Sequence, residues 1–194
     1  MIIDLTTTSD ALATALTDVG HWRISPTLSP LELQVLCRRH ANESYVAELL
    51  SAVTTHPAAD DGVLRAILCL VPNDVTIQNS VASSGKASIP LLRALAASPA
   101  QSVRDHASLA LIEKETIPAA DESVLRSLLD RHGGDEGISL GVRHLLAKHE
   151  QTPDSILRRL VNDEVDFIAS TARENLQRRR SQSAQNSSKT KSRQ

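Results

Sequence analysis

Apolar residues recur at helical spacing along this chain in short blocks, and each block is soon closed by proline, glycine or a cluster of small polar residues. Leu12, Leu16 and Val19 mark a first stripe, opened by Ser9-Asp10 and stopped by Gly20. A serine or aspartate at a helix start accepts a bond from an orphan backbone N–H, and glycine tolerates the left-handed exit. Ser29-Pro30-Leu31-Glu32 then reads as a capping box with proline at the first helical position. Leu33, Leu36 and Cys37 continue that helix, and a second follows the Asn42-Glu43-Ser44 break with Tyr45, Val46, Leu49, Leu50 and Val53.

Four later blocks begin with the same triplet of a branched aliphatic residue, leucine and arginine: Val63-Leu64-Arg65, Leu91-Leu92-Arg93, Val124-Leu125-Arg126 and Ile156-Leu157-Arg158. Their central leucines are 28, 33 and 32 residues apart. Helix pairs are expected over 60–71 and 74–83, 89–97 and 99–112, 121–132 and 135–149, and 153–162 and 164–177. The breaks are His56-Pro57, Pro72-Asn73, Ser98-Pro99, Ile117-Pro118, Gly133-Gly134 and Thr152-Pro153;. Ser98-Pro99-Ala100-Gln101 has the spacing of a second capping box. A helical period near thirty points to an all-α solenoid, here an N-terminal helix followed by about five helical hairpins, each burying its apolar face against its neighbours.

The resemblance to a known family is clearest at 152–163, Thr-Pro-Asp-Ser-Ile-Leu-Arg-Arg-Leu-Val-Asn-Asp, running on through Val165, Ile168, Ala169, Ala172 and Asn175. This resembles the leucine-rich-repeat variant, a HEAT-like bacterial repeat of two short helices. Its pattern begins Thr-Pro, carries Leu-x-x-Leu-Ala on the first helix and Val-Arg-x-x-Val/Ala-Ala-x-Asn on the second. Leu92-Arg93-Ala94-Leu95-Ala96 followed by Val103-Arg104 and Ala107 is similar, and the likeness reaches at most over 56–177. It departs from the pattern at Val165-Asp166 and in the Gly-rich pair at 135–149. The N-terminal cysteine cluster of iron–sulfur relatives is missing, so no cofactor is carried over. The resemblance implies a right-handed superhelix with a binding role and no inherited catalytic residue.

Composition agrees with helices. The chain is 41% hydrophobic but 2% aromatic, so its core must be built from leucine, isoleucine, valine and alanine; strands would favour aromatic and β-branched residues. Cys37 and Cys69 both fall in apolar runs without metal-ligand spacing, and both are expected as buried, reduced thiols of a cytoplasmic protein. No run approaches the ~18 apolar residues of a membrane span. The N-terminal Met1-Ile2-Ile3-Asp4-Leu5 has no positive leader region, which favours the cytoplasm.

The net charge of −2 hides an asymmetry. Arg178, Arg179, Arg180, Lys189, Lys191 and Arg193 crowd the end without an acid among them, leaving −8 on residues 1–176. The domain is therefore placed at 1–177. Residues 178–194, with no large apolar side chain, are expected to be a disordered basic tail whose removal after Gln177 leaves stability unchanged.

Candidate chemistry is sparse. The triplet arginines could form a basic column for a phosphate backbone, but Asp61, Glu122 and Asp154 precede Arg65, Arg126 and Arg158 by four residues, the favourable helical ion-pair spacing. His144 and His149 are five apart, off the spacing that puts two metal ligands on one helical face. Ser84-Gly85-Lys86-Ala87-Ser88 lacks the upstream glycine and strand of a phosphate loop. Gly133-Gly134-Asp135-Glu136-Gly137 is expected to be a loop accommodating an irregular repeat rather than a hinge or partner contact, and Trp22, beside Arg23, to cover the open end of the first repeat rather than to anchor a partner.

Acids open the second helix of several pairs: Glu43, Asp74, Asp135 with Glu136, and Asp163 with Glu164. Each complements a positive helix N-terminus; together, in stacked repeats, they would form an acidic rim. The expectation is a non-enzymatic, protein-binding module, such as an immunity or regulatory protein recognising a basic partner through that rim, with no metal or cofactor. Alternatives are nucleic-acid binding through Arg178, Arg179 and Arg180, or an enzyme on a HEAT-like scaffold such as a base glycosylase or chromophore lyase. Aromatic poverty weighs against the glycosylase.

Overall fold

The computed structural model describes residues 1–17, 22–134 and 137–191, and over these it is almost entirely helical. It divides into two units, Met1–Ala110 and Leu111–Gln194. Val19, Gly20, Asp135 and Glu136 lie outside the described residues.

In the first unit, α1 (Ser9–Thr17) is followed by α2 (Pro30–Arg39), α3 (Val46–Thr55), α4 (Asp61–Leu70), α5 (Val75–Ser83), α6 (Ile89–Ala96) and α7 (Gln101–Leu111), whose last residue crosses the division. Helix α2 packs on α4 and α3 on α5, so alternate helices form two layers. The core between them is aliphatic: Leu33, Leu36, Leu49, Leu50, Val53, Leu64, Ile67, Ile77 and Leu92 are all fully buried.

Local capping sets where these helices begin. Ser29 accepts the Glu32 N–H and the Glu32 carboxylate accepts from the Ser29 N–H, completing the expected box. Asp60, Asp74 and Ser88 cap α4, α5 and α6. Two local expectations are corrected. Thr8, one residue before Ser9, caps α1 by accepting the Ala11 N–H. The Ser98 box does not form: Ser98 Oγ accepts from Ala100 N, two residues on, while the Gln101 side chain turns forward to Asp105.

The first unit also holds two strands absent from the sequence reading. Residues β1 (Ile2–Ile3) and β2 (Arg23–Ile24) pair in parallel, Ile2 with Arg23 and Ile3 with Ile24. Two residues are too few to show a period, yet Ile3 and Ile24 are buried and anchor the chain start;.

The second unit begins with a wide helical turn at Ile112–Thr116, then α8 (Ile117–Ala119), α9 (Glu122–Arg131), α10 (Ile138–Lys148), α11 (Asp154–Leu160) and α12 (Asp166–Lys191). The expected break at Ile117-Pro118 is not made there. Helix continues to Ala119 because the wide turn, in which Ile117 N donates to the Ile112 carbonyl, precedes a proline that has no N–H to donate;. Helix α12 packs on both α10 and α11. It also runs on to Lys191, where the sequence leads to an expectation of a disordered tail from Arg178. Once α12 is docked, each further residue extends an existing helix, and the costly nucleation step has already been taken.

Leu95, Leu128 and Leu160 sit three residues after a triplet leucine and are all buried. Each Leu→Ala variant should lose about 2–5 kcal/mol of stability, the usual cost of truncating a core leucine. Urea denaturation is the measurement; three near-wild-type midpoints would place the repeat register elsewhere.

Candidate binding surfaces

The triplet arginines do different jobs. Asp61 pairs with Arg65 at 2.7 Å and accepts from the Ser88 N–H at 2.8 Å, while Arg65 also donates to Ser88 Oγ. This ties the start of α4 to the cap of α6. Burial opposes ionisation of Asp61, but the bonds from Ser88 and Arg65 outweigh it and hold the carboxyl below its usual range. In the second unit a related link occurs: Glu122 accepts from the Ser155 hydroxyl at 2.6 Å and from Arg126 at 2.7 Å, joining α9 to α11. The Ser155 hydroxyl, followed by Arg126, lowers the Glu122 pKa. Here Arg159 adds a second link, to Asp130 at 2.7 Å.

Arg158 breaks the series. Its expected partner Asp154 is held instead by Arg179, at 2.9 Å. Arg179 also donates to the carbonyls of Thr152, His149 and Glu150 and to Asn175 Oδ1. Asn175, only 2% exposed, donates in turn to the Ala147 and His149 carbonyls. The Asn175–Arg179 pair, one helical turn apart on α12, thus satisfies the orphan carbonyls at the end of α10 and in the following turn. Of the three arginines expected in the tail, Arg179 is a structural clamp, Arg178 bonds Asn175 and Arg180 is exposed.

The candidate acidic rim resolves into separate local roles. Asp74 caps α5 through the Ile77 N–H. Glu43 lies in the turn before α3, beside His40, whose imidazole is held low by burial against the opposing pull of Glu43. Asp163 is not available to a partner: its side chain is 6% exposed and lies 3.5 Å from the equally buried Arg143, while its other oxygen accepts the Val165 N–H. Arg143 also donates to the Gly133 carbonyl. Glu164 is exposed, and Asp135 and Glu136 lie outside the described residues.

Other candidate side chains are also accounted for. Lys86, beside the positive-φ Gly85, donates to the His56 carbonyl, thirty residues back. His56 accepts from the Ala58 N–H and donates its other ring nitrogen to the Ser25 carbonyl. Among the described residues, no group of three or more histidine, cysteine or acidic side chains is placed to hold a metal.

Two open clefts are the roomiest of those found among the described residues. In the first unit, Trp22 stands at the edge of a cleft of about 490 Å³ floored by Ala47, Ser51 and Ala52 of α3, with Thr76 of α5 and the exposed Glu48. Sequence reasoning placed Trp22 at an end of the repeats but could not show this floor, because its small residues resemble any helix surface. In the second unit, a cleft of about 800 Å³ runs between α11 and α12 and is lined by Arg158, Val161, Arg173, Leu176, Gln177 and Arg180.

No family model matches the chain, and neither a curated protein nor a solved structure matches it. No helix among the described residues is long and apolar enough to cross a membrane.

Two predictions follow from the bonding. Arg179→Ala should cost about 1–3 kcal/mol, because it leaves half-buried carbonyls without a donor, and truncation after Gln177 should lower the melting temperature similarly, contrary to the tail expectation. Calorimetry of both variants tests this; unchanged melting would reduce the clamp to an incidental contact. The cysteines should also differ. Cys37 is buried and its thiol is pushed up to about 12, whereas Cys69 is exposed, correcting the expectation that both are buried. The thiolate is the nucleophile, so a thiol reagent at neutral pH should label Cys69 in the native protein and Cys37 only on unfolding, as peptide mass mapping would show.

Proposed function

We propose that the chain is a non-enzymatic helical-repeat module, each unit built as turns of a right-handed α-solenoid, which binds another protein. The Trp22 cleft carries this reading. Its floor is made of small side chains that let a partner side chain approach the α3 backbone closely, its rim is the one large aromatic ring, and its charge is a single exposed carboxylate. Tryptophan is enriched among the residues that anchor interfaces. Glu48 selects for a base next to the apolar group that enters the cleft, so the partner segment is basic and apolar.

Repetition supports the solenoid part. In both units an acid paired with an arginine one turn on reaches a serine at the start of the next pair's first helix, Asp61 to the Ser88 N–H and Glu122 to the Ser155 hydroxyl, and alternate helices stack in the first unit. The motif asparagine of the leucine-rich-repeat variant falls at Asn175, where it bonds the end of α10.

The single tryptophan gives a direct assay. A peptide of alternating leucine and lysine should shift the Trp22 emission and bind with a Kd that rises about tenfold or more in Trp22→Ala, read by anisotropy of the labelled peptide, and in Ala52→Arg, which fills the floor. Equal binding by all three proteins would remove the cleft from the binding surface.

A further inference from the structure

We propose that the cleft between α11 and α12 is a second docking site, of opposite charge, for an acidic and apolar segment of a partner protein. It goes beyond the Trp22 cleft, shares no residue with it and lies wholly in the second unit.

Helical register brings the lining together. Arg173, Leu176, Gln177 and Arg180 recur at three- and four-residue spacing, so they lie along one stripe of α12, which faces Arg158 and Val161 from α11 and its end;. Arg173 is held by a bond to the Val161 carbonyl at 3.1 Å. Arg158 and Arg180 are exposed and their side chains bond no other described residue; Asp154, which precedes Arg158 by one turn, is taken by Arg179. The clamp that secures α12 therefore also leaves Arg158 open. No acid is among the lining residues, and Glu174 projects from α12 roughly 100° away from the arginine stripe.

Three guanidinium groups and no lysine favour oxyanions that accept two parallel N–H bonds, such as carboxylates. Val161 and Leu176 give the cleft an apolar floor, which a segment with both acidic and aliphatic side chains covers and a bare polyanion does not. Nucleic acid is the less favoured occupant. The lining has no aromatic ring on which a base could stack;. Residues 1–176 carry a net −8, which repels a long polyanion beyond the cleft;.

The test uses the full chain and three labelled probes: a twelve-residue peptide of glutamate and leucine, a twelve-residue peptide of glutamine and leucine, and a twelve-base-pair DNA duplex. Fluorescence anisotropy should show the acidic peptide bound more tightly than either other probe, with affinity falling as salt is raised. The double variant Arg158→Glu, Arg180→Glu removes no internal bond and should melt like the parent, yet weaken acidic-peptide binding by at least tenfold. Arg131→Glu, the same substitution made once at the exposed end of α9, should leave it within about threefold;. Tighter binding of the duplex, equal binding of the glutamine peptide, or equal losses in the Arg131 and double variants would each overturn the proposal.

Discussion

The structure depends on one constraint: with three aromatic residues in 194, the chain can build a core only by bringing aliphatic helix faces close together. No pair of short helices buries such a stripe alone, so each must be covered by the next. In the first unit α4 covers α2 and α5 covers α3; in the second α12 covers both α10 and α11. The polar groups that bridge successive helices then hold the layers in register. Asp61 reaches the cap of α6 and Glu122 reaches Ser155, each while paired to its own arginine one turn on. Exposed pairs of this kind contribute little stability individually, and their value here is positional.

The same economy shapes the surface. A core without large rings leaves small residues on outer helix faces, and the floor beneath Trp22 is made of them. At the C-terminal helix, polar bonds add to the burial of Ile168, Ala169, Ala172 and Leu176: Asn175 and Arg179 occupy the open carbonyls after α10, and Asp154 is drawn to Arg179. That choice of partner leaves Arg158 unneutralised beside Arg173 and Arg180. One clamp thus both fixes α12 and creates the basic cleft along it.

What could be read from the sequence divides by distance along the chain. Helix positions in the pairs after residue 60 were legible because apolar spacing and caps such as Asp60, Asp74 and Asp121 act within one turn. The ion pairs of Arg65 and Arg126 were legible for the same reason. The pairing of Arg158 was not, since the i,i+4 rule knows nothing of Arg179, which is 25 residues from Asp154. Asp163 looked like an exposed helix-start acid, and only the approach of α10 buries it against Arg143. The Ser98 motif had the correct letters, but Ser98 Oγ donates to Gln78 on α5 and accepts from Ala100. The exposure of Cys69 shows that an apolar run does not say which of its residues face inward.

The central claim is that each helix is stable because its neighbour covers it. Native-state hydrogen exchange on Leu64→Ala tests this most directly, since Leu64 is fully buried on α4 and α2 packs against that helix;. The account predicts that amides in both α2 and α4 lose protection, although no residue of α2 has changed. Loss confined to α4, with α2 exchanging as in the parent, would contradict it.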